Sequence, residues 1–285
     1  MDFWIVQGLN GISFGMLLFL LAAGLSLVFG LMRIVNLTHG SFYLLGAYIG
    51  FTVIGRTGSF LMAVVVVPLA IAGLGLIMHR FLLRRFQGAE LSQVLLTFGA
   101  LFIFADVSLW YWGGYSHVLP KPALLAGSLT IGTIVFPVYR IFVIVTGVVI
   151  AVVFWLVLER TPLGSMVRAG VDDEEMVRGL GINTPRLFTA VFALGAFFAA
   201  LSGIIGGPIV GAYPGADFEV LLLALVVVII GGLGSIGGAF VGSLVVGLID
   251  TFGRALVPEL AMFTIFAPMA IILALRPRGL FGRIR

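Results

Sequence analysis

Residues 11–32 read GISFGMLLFLLAAGLSLVFGLM, and no charged side chain stands among them. A helix needs ~20 mostly apolar residues to cross the hydrocarbon core of a bilayer, so this stretch reads as a membrane span. Working outward, apolar runs of the same kind recur near residues 8–32, 38–55, 59–79, 91–112, 138–158, 187–210, 218–233, 236–252 and 258–275. The two flanking the glycine-rich run at 231–238 are short, which marks them as candidates for broken helices. The sequence thus predicts an all-α polytopic membrane protein of about eight or nine transmembrane helices. Residues 1–285 read as a single transmembrane domain, with no room for a separate soluble one.

Composition agrees. Of 285 residues, 61% are hydrophobic and 10% charged, with a mean hydropathy of +1.23, more apolar surface than a water-soluble core can hide. The partner this demands is the lipid bilayer. In a soluble protein a net charge of +4 would invite nucleic acid. Here basic residues at helix ends set topology and meet anionic lipid, and no nucleic-acid partner is expected. Cysteine is absent, which excludes disulfides, thiolate nucleophiles and cysteine-ligated metals. The first apolar stretch lacks a basic leading region and a small-residue cleavage site, so it reads as a retained helix.

Arg33, Arg80, Arg84, Arg85, Arg160, Arg168, Arg178, Arg186, Arg276, Arg278, Arg283 and Arg285 fall on one side of these spans, and Arg56, Lys121, Arg140 and Arg254 on the other. By the positive-inside rule the twelve are cytoplasmic, which puts the C-terminus inside, in the plasma (inner) membrane of a cell. Small residues four apart, among them Gly46 and Gly50, Gly203 and Gly207, and Gly238 and Gly242, let helix backbones approach closely in lipid. They announce a packed bundle rather than transport. THGSFYLLGAYIG at 38–50 and SIGGAFVGSLVVG at 235–247 each place a polar, glycine-bearing entry before a helix, a hint of the internal repeats from which transporters are built.

The longest polar stretch is ERTPLGSMVRAGVDDEEMVRGLGINTPR, residues 159–186, on the cytoplasmic side. Thr161 before Pro162 reads as an N-cap with proline at the first helical position, and Gly170 as a stop. Asp172 with Glu175 three residues on reads as a capping-box start, and Gly181 as its close. Thr184 and Pro185 then open the next span. Two short helices outside the bilayer are predicted. Met176, Val177, Leu180 and Ile182 give the second an apolar tip suited to a groove on a cytoplasmic partner. The competing reading, an amphipathic helix lying on the bilayer, must face four consecutive acids, Asp172 to Glu175, toward anionic lipid. Adjacent carboxylates on one turn point in different directions and no histidine is near, so no metal site and no cofactor are expected.

Asn36, Thr38, His39 and Ser41 sit where the first span gives way to the second. Two readings stand side by side: a break lining the translocation path or its gate, and ordinary helix capping. Asp106 is the clearest acid near membrane depth, a candidate for the path, yet it neighbours Trp110, Tyr111 and Trp112, an interfacial belt. His79 and His117 fall at loop ends and read as solvated. Arg254, with Asp250 and Glu259, reads as outer rim.

Five ordered blocks carry a resemblance. Residues 11–50 (GISFGMLLFLLAAGLSLVFGLMRIVNLTHGSFYLLGAYIG), 161–183, 192–207 (FALGAFFAALSGIIGG), 231–250 (GGLGSIGGAFVGSLVVGLID) and 276–282 (RPRGLFG) together resemble the inner-membrane permeases of branched-chain amino acid ABC transporters, the LivH/LivM family and its LivH-like half. The resemblance implies an ABC-importer permease bundle that translocates amino acids, of branched-chain type first. It implies as partners a second related permease, two cytoplasmic ATPase subunits and an external solute-binding protein. In that family the segment matching 161–183 docks on an ATPase, which would give coupling roles to Arg168, Asp172, Asp173, Glu174, Glu175, Met176, Arg178, Leu180, Gly181, Ile182 and Asn183. The chain has no phosphate-cradling GxxxxGK[ST] loop, so it is expected not to be an enzyme. An ion-coupled secondary transporter for small polar solutes is the alternative, and an intramembrane enzyme is disfavoured because no HExxH or nucleophile–base pair is present.

Overall fold

A computed structural model describes residues 2–32 and 34–282, with side chains at all of them except 171, 172, 174, 261 and 262. Arg33, Arg283 and Arg285 of the basic tally lie outside these residues. In chain order the helices are α1 Asp2–Met32, α2 Thr38–Thr57, α3 Phe60–Phe81, α4 Glu90–Trp112, α5 Val138–Arg160, α6 Pro162–Asp172, α7 Glu174–Gly179, α8 Thr184–Val210, α9 Ala216–Gly231, α10 Ile236–Leu256 and α11 Ala261–Leu275. Between α4 and α5 an antiparallel hairpin, β1 Ser128–Ile131 with β2 Ile134–Pro137, caps one end of the bundle, an element the apolar pattern did not announce.

Among the described residues six helices are long and apolar enough to cross a membrane: α1, α3 with its 3₁₀ extension to Phe86, α4, α5, α8 and α10. Of the two segments expected to be short, α10 runs a full 21 residues and only α9, with 16, is truncated. At 1.5 Å per residue α9 reaches about 24 Å, less than the ~30 Å of a hydrocarbon core. The polar residues of α2 are tolerated because protein, not lipid, surrounds its first half, where Thr38, His39, Ser41, Tyr43 and Tyr48 are all buried.

α1 and α8 form the centre. In α1, 83% of the most apolar window is buried, against 17% in α4 and in α5, which therefore present apolar faces outward. Close crossings of small residues hold the centre together, as helices in lipid require. A Cβ at Gly46 of α2 would stand 2.5 Å from the Ala200 backbone of α8, and one at Gly203 would strike the Tyr43 carbonyl. A Cβ at Gly24 of α1 would meet the Gly195 carbonyl at 2.9 Å, and one at Gly247 of α10 the Gly11 carbonyl at 2.5 Å. Gly242 and Gly238 likewise meet backbone, at the Val227 and Gly231 carbonyls, whereas Gly50 and Gly207 make room for the side chains of Ile204 and of Leu119 in the loop after α4. The two helices introduced by the repeated sequence pattern thus cross the two central ones, α2 on α8 and α10 on α1.

Two helices begin inside the bundle. The His39 ring in the first turn of α2 donates to the Leu21 carbonyl at 2.9 Å, so this turn lies alongside the middle of α1 rather than beyond Met32. After α8, residues 211–215 turn back through Gly211 and Gly215, both at positive φ, and α9 starts with Ala216 and Asp217 buried. The two N-termini meet: Gly40 packs on the carbonyl of Asp217. Irregular backbone at this depth must find partners within the protein. Ala212 finds them in His117, exchanging two 2.8 Å backbone hydrogen bonds.

Candidate functional site

The first candidate is the α6–α7 segment. Thr161 Oγ1 accepts from the Gly164 amide at 3.3 Å with Pro162 in the first turn, the cap expected. Gly170, however, does not stop the helix. It lies inside α6 with Leu31 and Leu187 against it, a close-packing position on α1 and α8, so α6 continues to Asp172. The cap of α7 consequently falls one residue later than expected: Asp173, not Asp172, accepts from the Met176 amide at 2.9 Å. Likewise Asn183, not Thr184, caps α8, accepting from the Arg186 amide at 3.1 Å. Thr184 is buried and accepts from Arg178 Nε at 3.3 Å. Arg168 hydrogen-bonds the Leu158 carbonyl and pairs with Glu159 at 3.4 Å.

The expected apolar tip is divided. Val177 is 2% exposed and holds α7 to the bundle, whereas Met176 and Leu180 are 67% and 74% exposed. Ile182 is half-buried, while Asp173, Glu175, Gly181 and Asn183 are exposed; the side chains of Asp172 and Glu174 lie outside those described. Segments 159–186 thus present Met176, Leu180 and flanking charge at one end of the bundle.

The second candidate is an open cavity of about 540 Å³ toward the opposite end, lined by α1, α2, α5, α8, α9 and α10, a volume typical of small-molecule sites. Phe14, Leu17, Leu18, Val220 and Leu223 supply apolar wall; Asn10, Arg140, Tyr213, Glu219, Asp250 and Arg254 supply polar groups. Arg254 Nε donates to Asp250 Oδ1 at 2.8 Å, one helical turn apart. Tyr213 donates to Glu219 at 2.7 Å, tying the 211–215 turn to α9. Arg140 donates to Asn10 at 2.6 Å, tying α5 to α1. Ser13 Oγ, buried on the cavity wall, has no hydrogen-bond partner among the described residues.

The path residues expected from sequence are not in this cavity. Asn36, Thr38, His39 and Ser41 are all buried at the α1–α2 break. Asn36 Oδ1 accepts from the Thr38 amide at 3.2 Å, and Thr38 donates to the Thr97 carbonyl at 3.4 Å. Asp106 is exposed on the outward face of α4, apart from the cavity lining. Two histidines are corrected. His79 is buried, its Nδ1 2.9 Å from Thr189 Oγ1 across α3 and α8. His117 is half-buried, donating to the Trp112 carbonyl at 3.1 Å beside Phe51. Of the expected outer rim, Arg254 and Asp250 line the cavity and Glu259 does not. Glu219 and Asp217 were missed; their signal was a pair of acids just after Pro214–Gly215, opening an unusually short apolar run.

A model of the family described as branched-chain amino acid transport system / permease component matches residues 8–275. The chain belongs to that family. This permease component is 27% identical to the high-affinity branched-chain amino acid transport system permease protein BraD of Pseudomonas aeruginosa, over 98% of its own length and 96% of the relative's. It is likewise 27% identical to the high-affinity branched-chain amino acid transport system permease protein LivH of Escherichia coli K12, over 99% and 96%. To the probable branched-chain amino acid transport permease protein LivH of Methanocaldococcus jannaschii it is 25% identical over 85% and 78%. No solved structure matches the chain. The permease is a multi-pass membrane protein and not an enzyme, as its sequence led one to expect.

Proposed function

We propose that this permease is the membrane half of an ATP-driven importer that passes aliphatic amino acids, of branched-chain type first, from an external solute-binding protein to the cytoplasm. The observation that carries the reading is a division of labour between the two ends of one bundle. A solute-sized cavity with apolar walls and charged groups lies toward one end, and α7 with its C-cap presents bare Met176 and Leu180 at the other. In this reading the cavity end faces outward, and residues 159–186 dock on an ATPase subunit at the cytoplasmic face, where the C-terminus also lies. A second, related permease covers part of the outward apolar faces, and a second ATPase serves it.

The absence of cysteine makes the test direct. Single cysteines at Met176 and Leu180 should crosslink to an ATPase subunit in the assembled transporter, and leucine uptake into vesicles should require ATP and survive an ionophore. Crosslinks only to lipid probes, or uptake that collapses with the ion gradient, would instead favour an ion-coupled transporter. The one observation on that side is Asp217, 2% exposed inside the bundle, with one carboxylate oxygen unpartnered among the described residues.

A further inference from the structure

We infer that Arg140 and Glu219 are the two poles that hold the zwitterionic head of an aliphatic amino acid in the cavity, the guanidinium taking the carboxylate and the carboxylate taking the ammonium. The inference rests on the reading of this chain as an amino acid permease and adds to it the groups that recognise the solute.

The argument is one of charge accounting. Four charged side chains line the cavity: Arg140, Glu219, Asp250 and Arg254. Asp250 and Arg254 neutralise each other at 2.8 Å, within one helix. Of the remaining two, Arg140 is held by the neutral amide of Asn10 and Glu219 by the neutral hydroxyl of Tyr213. Glu219 lies within electrostatic reach of Arg254, yet among the described residues neither Glu219 nor Arg140 is in an ion pair. One cation and one anion, each oriented by a neutral neighbour, therefore face the same space from different helices. Glu219 is exposed and Arg140 half-buried, so both present their charge to a solute entering the open side of the cavity. A solute carrying one charge of each sign satisfies both at once, whereas a sugar satisfies neither and a singly charged solute only one.

The rest of the wall fits the same solute. Leu17, Leu18, Val220 and Leu223 give an aliphatic side chain a place out of water, and Ser13 Oγ has no hydrogen-bond partner among the described residues. Holding the two poles with neutral neighbours keeps the grip weak enough to release, as a translocation site must: an ion pair between Arg140 and Glu219 themselves would have to break before the solute could enter, and a bare charge would trap it.

The test uses the purified full chain in nanodiscs, radiolabelled leucine, and displacement by two analogues that each lack one charge, 4-methylpentanoate and 3-methylbutylamine. The wild type should favour leucine over each analogue by about ten-fold or more, because a site built around a polar partner penalises its loss. Glu219→Gln should abolish the preference over 4-methylpentanoate alone, and Arg140→Gln the preference over 3-methylbutylamine alone. Thermal melting identical to wild type identifies a variant as folded. Undetectable leucine binding up to ~10 mM, where binding would be too weak to matter for import, would overturn the inference, as would folded variants that keep both preferences. Either result could stand beside intact ATP-dependent leucine uptake by the assembled transporter, in which case the proposed function survives and only the assignment of the poles fails. Loss of wild-type uptake itself would instead refute the functional reading.

Discussion

The amide of Leu280 donates to the carbonyl of Ile230 at 2.8 Å, and the next amide, of Phe281, to Gly231 at 3.0 Å. Helix α9 ends there, and its last carbonyls have no partner within the helix. The segment after α11 supplies partners for two of them, folding back so that Gly279 lies against the backbone of Gly232. The C-terminal RPRGLFG block is thus a strap over the α9–α10 turn.

Replacing Leu280 by proline removes that donor while leaving the chain length unchanged. A buried acceptor left unpaired costs about 1–3 kcal/mol, so Leu280→Pro is expected to lower the melting temperature in detergent by several degrees. Leu280→Ala, which keeps the amide, should cost less. Equal melting temperatures for the two would mean the strap contributes nothing through its backbone.

The α2–α8 crossing should be intolerant of any side chain. Gly46→Val puts carbon atoms where the Ala200 backbone already stands, and overpacking costs about 1–3 kcal/mol or more where backbone cannot yield. Gly99→Val, exposed inside α4 with nothing within 4 Å of its Cβ position, serves as the control for the helix-propensity cost alone. The expected result is a marked loss of folded yield and melting temperature for the first and near-wild-type behaviour for the second.

Met176→Asp with Leu180→Asp should leave the isolated permease as stable as wild type, because both side chains are bare, while abolishing co-purification with the ATPase subunits. Val177→Ala, at 2% exposure, should do the opposite, lowering stability by about 1–2 kcal/mol through lost burial and cavity formation with smaller effect on assembly. Comparing melting curves with pull-down yields separates the two faces of one six-residue helix.

Narrowing the cavity should stop transport without unfolding the bundle. Ala255, half-buried on the cavity wall near the end of α10, becomes a plug when replaced by tryptophan. Leucine uptake by assembled vesicles is expected to fall by about ten-fold or more, the scale at which misplacing a bound solute registers, while Ala255→Ser retains most of it.

How far the sequence reaches is clearest at particular residues. The uncharged run at 11–32 and its repeats were enough to establish spans, and Thr161–Pro162 enough to start α6, because both signals are local. The caps of α7 and α8 each slipped by one position, from Asp172 to Asp173 and from Thr184 to Asn183. For α7 the cause was not local: Gly170 reads as a stop in sequence, but packing against Leu31 and Leu187 makes it the point where α6 touches the bundle. His79 and His117 looked like loop-end groups until Thr189 and Trp112, more than a hundred residues away in the first case and across a turn in the second, enclosed them.

By itself, the sequence determined the solvent this protein folds in, the positions of its long helices, the two short helices of 159–186 and the family to which it belongs, because hydropathy, capping and ordered motifs are written in neighbouring residues. Tertiary structure alone decided that α2 and α9 begin inside the bundle with their first turns in contact, and that Asn10, Arg140, Tyr213, Glu219 and Arg254 line one cavity. Those residues come from α1, α5, the 211–215 turn, α9 and α10. Only close packing of glycine against backbone, a property of pairs of helices rather than of any one segment, brings them to a common space.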